Sequence, residues 1–162
     1  MVAASVLGAV ALSLFIGAYW SKRRFGLLGL ALTAGATVST IWSYNAGLIV
    51  ASTGLIPDAT IANAVTLSII VLLPAVVLLF HGYRYKSAIG RAVGSLLFAI
   101  LAMAFLIEPL GYALPLDGIG ADIYSWIVEY REAIISVGVV LAVADLFFTK
   151  PVAFADRDKR KR

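Results

Sequence analysis

An all-α membrane bundle of about five spans is the fold this sequence predicts, and three observations predict it. Hydrophobic residues make up 62% of the chain and charged residues 14%, with a mean hydropathy of +0.98. That leaves too little polar surface to cover a water-soluble globule. The apolar runs reach the ~20 residues a helix needs to cross a hydrocarbon core of about 30 Å. All of the 13 basic residues except Arg131 fall in alternate gaps between the runs or in the tail, which is the asymmetry that orients a membrane protein. The chain has no Cys and one His, which excludes disulfide scaffolds, thiolate metal sites and thiol redox relays. A net charge of +4 carried by short loops and a tail needs no nucleic acid to explain it, so no nucleic-acid partner is expected.

The first run, residues 2–20, has no basic segment before it. Ser21-Lys22-Arg23-Arg24 follows it directly, a stop-transfer pattern that predicts a retained span rather than a cleaved signal. The second run, 26–51, ends at the turn-rich Thr53-Gly54-Leu55-Ile56-Pro57-Asp58. Asp58 or Thr60 is placed to cap the third span, 61–80. Pro74 inside that span removes one backbone hydrogen bond, which a neighbouring helix or a hydroxyl must offset. The fourth span, 92–110, closes at Glu108-Pro109-Leu110-Gly111.

The only sizeable loop follows. Ile123, Trp126, Ile127, Tyr130 and Ile134 recur at helical spacing opposite Glu129 and Glu132, so 122–130 reads as an amphipathic helix on the outer surface, its Trp and Tyr at headgroup level. The last run, 131–149, carries Asp145 and spans only if the helical turn before it contributes or the bilayer thins to meet it. Residues 150–162 form a basic tail. Five spans with the N-terminus outside and the C-terminus in the cytoplasm of a plasma membrane, the bacterial inner membrane in the first instance, satisfy the basic residues of every gap. The rival has four spans, with the last run surface-bound or re-entrant and the tail outside.

The second run is expected to organise the bundle. It repeats a small residue every fourth position, Ala31, Gly35, Ser39, Ser43, Gly47 and Ala51, which draws a packing groove along one side of a helix. Ser5, Ala9, Ser13 and Gly17 repeat the spacing on the first span, and the two stripes are expected to meet. The functional alternative is an interface with another copy or another membrane protein. Beside the groove, Ser39-Thr40-Ile41-Trp42-Ser43-Tyr44-Asn45 is the most polar patch inside any apolar run, with Trp42, Tyr44 and Asn45 as its candidate site residues. Asn45 is expected to bond Asn63, Thr66 or Ser68 on the next helix, with a solute site as the alternative.

Glu108 and Asp145 are the acidic residues within or beside apolar runs, where an ionisable group is a functional hypothesis by default. Both lie about one turn from a span end, at opposite faces, which argues against a paired-carboxylate site. Arg131 is available to Glu108, and Arg84, Arg91 or Lys150 to Asp145. His81 alone cannot close a metal site. No hydrolase, metalloprotease, phosphate-loop or calcium-loop pattern occurs, so no catalytic residue, metal or cofactor is expected and an enzyme is disfavoured.

Ser21-Lys22-Arg23-Arg24-Phe25-Gly26 resembles the basic Gly-Phe loop of the colicin V production protein (CvpA-like) family, and Ile89-Gly90-Arg91-Ala92-Val93-Gly94 resembles its Asp-Arg-x-x-Gly segment. The resemblance covers about residues 1–111. It implies a bacterial inner-membrane protein, a non-enzymatic scaffold or accessory protein linked to toxin production, secretion or envelope homeostasis. The alternative is a small transporter or channel subunit whose pathway passes the polar patch of the second span and Pro74.

Overall fold

The computed structural model describes residues 2–43, 45–52, 56, 58–81, 85, 87–114 and 118–148. They form six helices and no strand: α1 (Val2–Ser21), α2 (Phe25–Trp42), α3 (Asn45–Ser52), α4 (Ala59–Phe80), α5 (Ala88–Ala113) and α6 (Ile119–Phe147). Four, Ala3–Ser21, Phe25–Trp42, Ala59–Phe80 and Ala88–Ala113, are long and apolar enough to cross a membrane. The fold is an all-α bundle built from helices of membrane-spanning length.

Local chemistry fixes the helix ends. Lys22 takes a left-handed backbone, φ 59°, which stops α1, and its carbonyl accepts from Tyr85 N–H at 2.8 Å. Arg23 turns inward and donates to Leu79 O at 3.0 Å and to Phe80 O. A cation thereby satisfies the last carbonyls of α4 and meets the negative end of its dipole. Asp58 Oδ1 caps α4, accepting from Thr60 N at 2.8 Å and Ile61 N at 3.3 Å. Ser87 caps α5 through Gly90 N at 3.1 Å.

Three expectations need correction. The second run is not one helix: it divides into α2 and α3 at Ser43, whose hydroxyl donates back to Thr40 O at 3.0 Å. Thr33, Thr37 and Thr40 do the same to Gly29 O, Thr33 O and Ala36 O, each at 3.0 Å. Such back-bonding competes with the backbone ladder and weakens or bends a helix. The groove therefore does not run straight from Ala31 to Ala51.

The stripes on the first two spans do not meet either. On α1, Ser5, Ala9 and Ser13 are exposed, and a Cβ added at Gly8 or Gly17 would touch nothing within 4 Å. On α2, Gly35 is buried against α4, where a Cβ would lie 2.2 Å from Val71 O and 3.0 Å from Ile70 O. Ile70 is the residue whose carbonyl Pro74 cannot serve, having no N–H to give. The α2 backbone thus lies against the α4 backbone at Val71 and Ile70, beside the carbonyl that Pro74 leaves unserved.

The third correction concerns the end of the chain. No separate surface helix covers 122–130, and no new span begins at 131: α6 runs unbroken for 29 residues. Nothing between Asp122 and Phe147 is a Pro or a cap able to end a helix, and its one internal glycine after the first turn, Gly138, packs on Leu101. Trp126 and Tyr130 stay exposed on its first half, rings 5.2 Å apart. The organising helix is α5 rather than α2. Its apolar stretch is 67% buried against 44% for α2, and Phe98, Leu101, Ala102 and Leu106 join Leu28 and Leu32 of α2 in the main core.

Candidate functional site

The two intramembrane carboxylates occupy two different places. Asp145 sits near the end of α6, 14 residues after Arg131 and therefore about 21 Å farther along the helix. Its Oδ2 accepts from Gly26 N at 2.9 Å, and its Oδ1 lies 3.9 Å from Arg24. Arg24 Nη1 also donates to the Asp145 carbonyl at 3.2 Å. Arg24, the residue before α2, supplies no side-chain cap, so a carboxylate from the far end of the chain caps α2 across space and meets the positive end of its dipole.

Tyr85 completes this knot. Its hydroxyl accepts from Phe25 N at 3.1 Å, and its ring lies under Arg24, 5.4 Å from the guanidinium carbon. Burial pushes the phenol above its usual value, the Phe25 N–H works against that, and the neighbouring Asp145 raises it further. Gly94 has no side chain because the Tyr85 ring fills its place, a Cβ there falling 2.6 Å from the ring. Three residues earlier, Arg91 donates to the Tyr19 hydroxyl at 2.7 Å and lies 4.1 Å from that ring. The basic loop at 21–26 and the Gly-Arg segment at 90–94 thus converge on one residue, Tyr85, to which sequence reasoning gave no role. Arg84 and Lys150, offered as partners of Asp145, lie outside the described residues, and Arg91 is turned to Tyr19.

Glu108 belongs to a cleft of about 670 Å³ between α2, α4, α5 and α6. Its Oε2 lies 2.6 Å from Arg131 Nη2, the side chains being 54% and 33% exposed, so the pair stands at an open wall rather than in the core. Arg131 Nε donates to Ala104 O at 3.2 Å. The next carbonyl, Phe105 O, is the one that Pro109 cannot serve. Across the cleft, α2 presents Thr33, Thr37, Ser39, Thr40 and Ser43. From α4 comes Asn63, whose buried Oδ1 has no hydrogen-bond partner among the described residues.

The candidate residues of the second run separate accordingly. Ser39 and Ser43 line this cleft, while Ala31 and Gly35 are buried in helix packing. Trp42, 47% exposed, and Asn45 face outward. Tyr44, and the side chains of Gly47 and Ala51, lie outside what is described. The bond expected from Asn45 to α4 is not formed among the described residues: Thr66 and Ser68 donate to Ala62 O and Ala64 O of their own helix, each at 2.7 Å. Sequence reasoning missed Thr33, Thr37 and Asn63 as a wall. The signal was there in the Thr spacing of four and three, which keeps hydroxyls on one face.

Fold and site define a class, an α-helical bundle with four helices long and apolar enough to span a membrane and a hydroxyl-lined cleft. No family model, curated protein or solved structure matches the chain.

Proposed function

We propose that the protein is a non-enzymatic, five-span membrane protein that admits a small polar solute into the cleft between α2, α4, α5 and α6, as a transporter or channel subunit does. The cleft carries this reading. Polar side chains inside a membrane bundle are costly and gather where substrate or water passes, and the Asn63 Oδ1 left without a partner costs about 1–3 kcal/mol unless something enters to meet it. The basic residues between α1 and α2, around the α4–α5 connection and in the tail support an outside N-terminus and a cytoplasmic C-terminus in a plasma membrane. That topology makes α6 the fifth span. At about 1.5 Å per residue its 29 residues reach well past the ~30 Å required.

Asn63→Leu tests the reading. The variant removes an unsatisfied amide, so it is expected to melt at or above the wild-type temperature while losing binding in a titration panel of a small amine, a dicarboxylate and a polyol. Loss of binding with stability kept cannot come from misfolding. If wild type binds none of the three, and no lipid headgroup stabilises it in their place, the reading is wrong. Reporter fusions at Asp58 and Gly118 on one side, and at Ser87 and Arg162 on the other, test the topology; a tail found outside removes the five-span arrangement.

The second reading is the scaffold or accessory role that the CvpA-like resemblance implies, with toxin secretion or envelope homeostasis as its setting and a further copy or another membrane protein as partner. The observation favouring it is that both resembling segments meet at Tyr85. Co-purification from native membranes that depends on Arg91 and Tyr85, and not on Asn63, would decide for it.

A further inference from the structure

Of the six hydroxyl side chains that line the cleft, Thr33, Thr37, Ser39, Thr40, Ser43 and Tyr112, four have their hydrogen already committed. Thr33, Thr37, Thr40 and Ser43 each donate their hydrogen to a carbonyl of α2 itself. A hydroxyl has one hydrogen and two lone pairs, so what these four turn to the cleft is acceptor oxygen. Asn63 adds an acceptor with nothing bonded to it, and Glu108 adds a carboxylate. The one cation in the lining, Arg131, is engaged by Glu108 and by Ala104 O. Acceptor oxygens and a carboxylate thus outnumber the donors left on the wall, the Ser39 and Tyr112 hydroxyls and the Asn63 amide N–H groups, which favours a ligand that brings N–H donors and no negative charge.

We propose that the cleft takes a primary ammonium group, which replaces the Arg131 guanidinium on Glu108 and is held by the hydroxyl and amide oxygens of α2 and α4. The exchange keeps Glu108 paired throughout, since one cation leaves the carboxylate as another arrives, and the displaced Arg131 stands at the open wall, where its partly exposed guanidinium is met by water. Arg131 retains its bond to Ala104 O. An ammonium has three hydrogens to share among the acceptors of this lining, Glu108, the threonine oxygens and Asn63 Oδ1, whereas a quaternary ammonium carries the same charge and donates nothing. This inference rests on the reading of the cleft as a solute site. A free amine and the headgroup of an aminophospholipid present the same donors.

The test uses the full chain in nanodiscs of phosphatidylcholine, titrated calorimetrically with ethanolamine, choline, succinate and ethylene glycol. Ethanolamine is expected to bind, with choline at least about tenfold weaker, because hydrogen bonds to charged groups are worth that much each. Glu108→Gln is expected to weaken ethanolamine by about tenfold, and Asn63→Leu to weaken it without lowering the melting temperature. A second arm compares melting in discs containing phosphatidylethanolamine. Stabilisation there that Glu108→Gln abolishes, with no binding of free ethanolamine, assigns the ammonium to the lipid headgroup and supports the proposal. Equal affinity for ethanolamine and choline overturns it, because charge alone is then being read. Binding of succinate or ethylene glycol without any ammonium effect overturns it too, and leaves the cleft a solute site. No binding of any ligand and no lipid effect overturns both.

Discussion

Gly35→Ala is the sharpest test of how the bundle is held together. The new methyl would lie 2.2 Å from Val71 O, whereas a carbon rests comfortably on a carbonyl oxygen only at about 3.3 Å. Both obstacles are backbone, so no side chain can swing away, and α2 must retreat from α4 by roughly 1 Å. In lipid the two helices are held by packing rather than by a hydrophobic force. A gap of that size forfeits a quarter to a half of each affected contact, at about 0.1–0.2 kcal/mol per atom pair. Over some tens of pairs the loss is on the order of 2–3 kcal/mol. Alanine gives back up to about 1 kcal/mol through its better helix propensity. The net is a destabilisation on the order of 2 kcal/mol, read as a fall of about 4–8 °C in melting temperature for a chain of this size. Gly8→Ala is the matched control, because its Cβ meets open space. It gains the propensity and loses nothing, so it is expected to melt at or slightly above wild type. If Gly35→Ala melts as high as Gly8→Ala, the close approach of α2 to the Pro74 turn is wrong.

The knot at the other end yields three further outcomes. Asp145→Ala removes the cap of Gly26 and the partner of Arg24, and thermal unfolding is expected to show a loss of about 1–3 kcal/mol. Asp145→Asn keeps an acceptor and should lose less; equal losses would mean that the hydrogen bond to Gly26 counts for little. Because the Tyr85 phenol is raised above its ordinary value near 10, its neutral form is favoured in the fold. The stability this gives is complete below pH 10 and is lost as pH climbs through the raised value. Between pH 9 and 11 the melting temperature of wild type should therefore fall more steeply than that of Tyr85→Phe, and parallel curves would refute the assignment. Gly94→Ala drives a methyl into the Tyr85 ring and should destabilise by about 1–3 kcal/mol, a loss that Tyr85→Ala in the same chain relieves in part.

What the sequence makes legible is whatever a single helix decides. A cap for α4 at Asp58 or Thr60 follows from those residues and the turn before them, and Asp58 is the one that caps. A membrane-length helix over 2–21 follows from its run of apolar residues, and the pairing of Glu108 with Arg131 follows from their standing as the polar residues nearest one face of the bundle. What stays hidden is whatever two distant segments decide together. Nothing in Gly26 announces that Asp145 will cap it, and a stripe of small residues says that a helix can be approached closely without saying by which neighbour. Adjacency in sequence suggests α1; the structure sets Gly35 against Val71 and Ile70 of α4 instead.

The two carboxylates show why the distinction matters for function. Read singly, Glu108 and Asp145 are the same observation, an acid near the end of an apolar run. Asp145 is surrounded by donors that the fold itself leaves over, Gly26 N–H and Arg24, and its charge is consumed in closing the bundle. Glu108 faces an open wall of oxygens that the fold does not consume, with an acceptor on Asn63 still unmet. A carboxylate whose partners are all structural is a fastener. One whose surroundings ask for hydrogens that the chain does not supply is a place for something else to bind, and that difference singles out the cleft, rather than the knot, as the site to test for a solute.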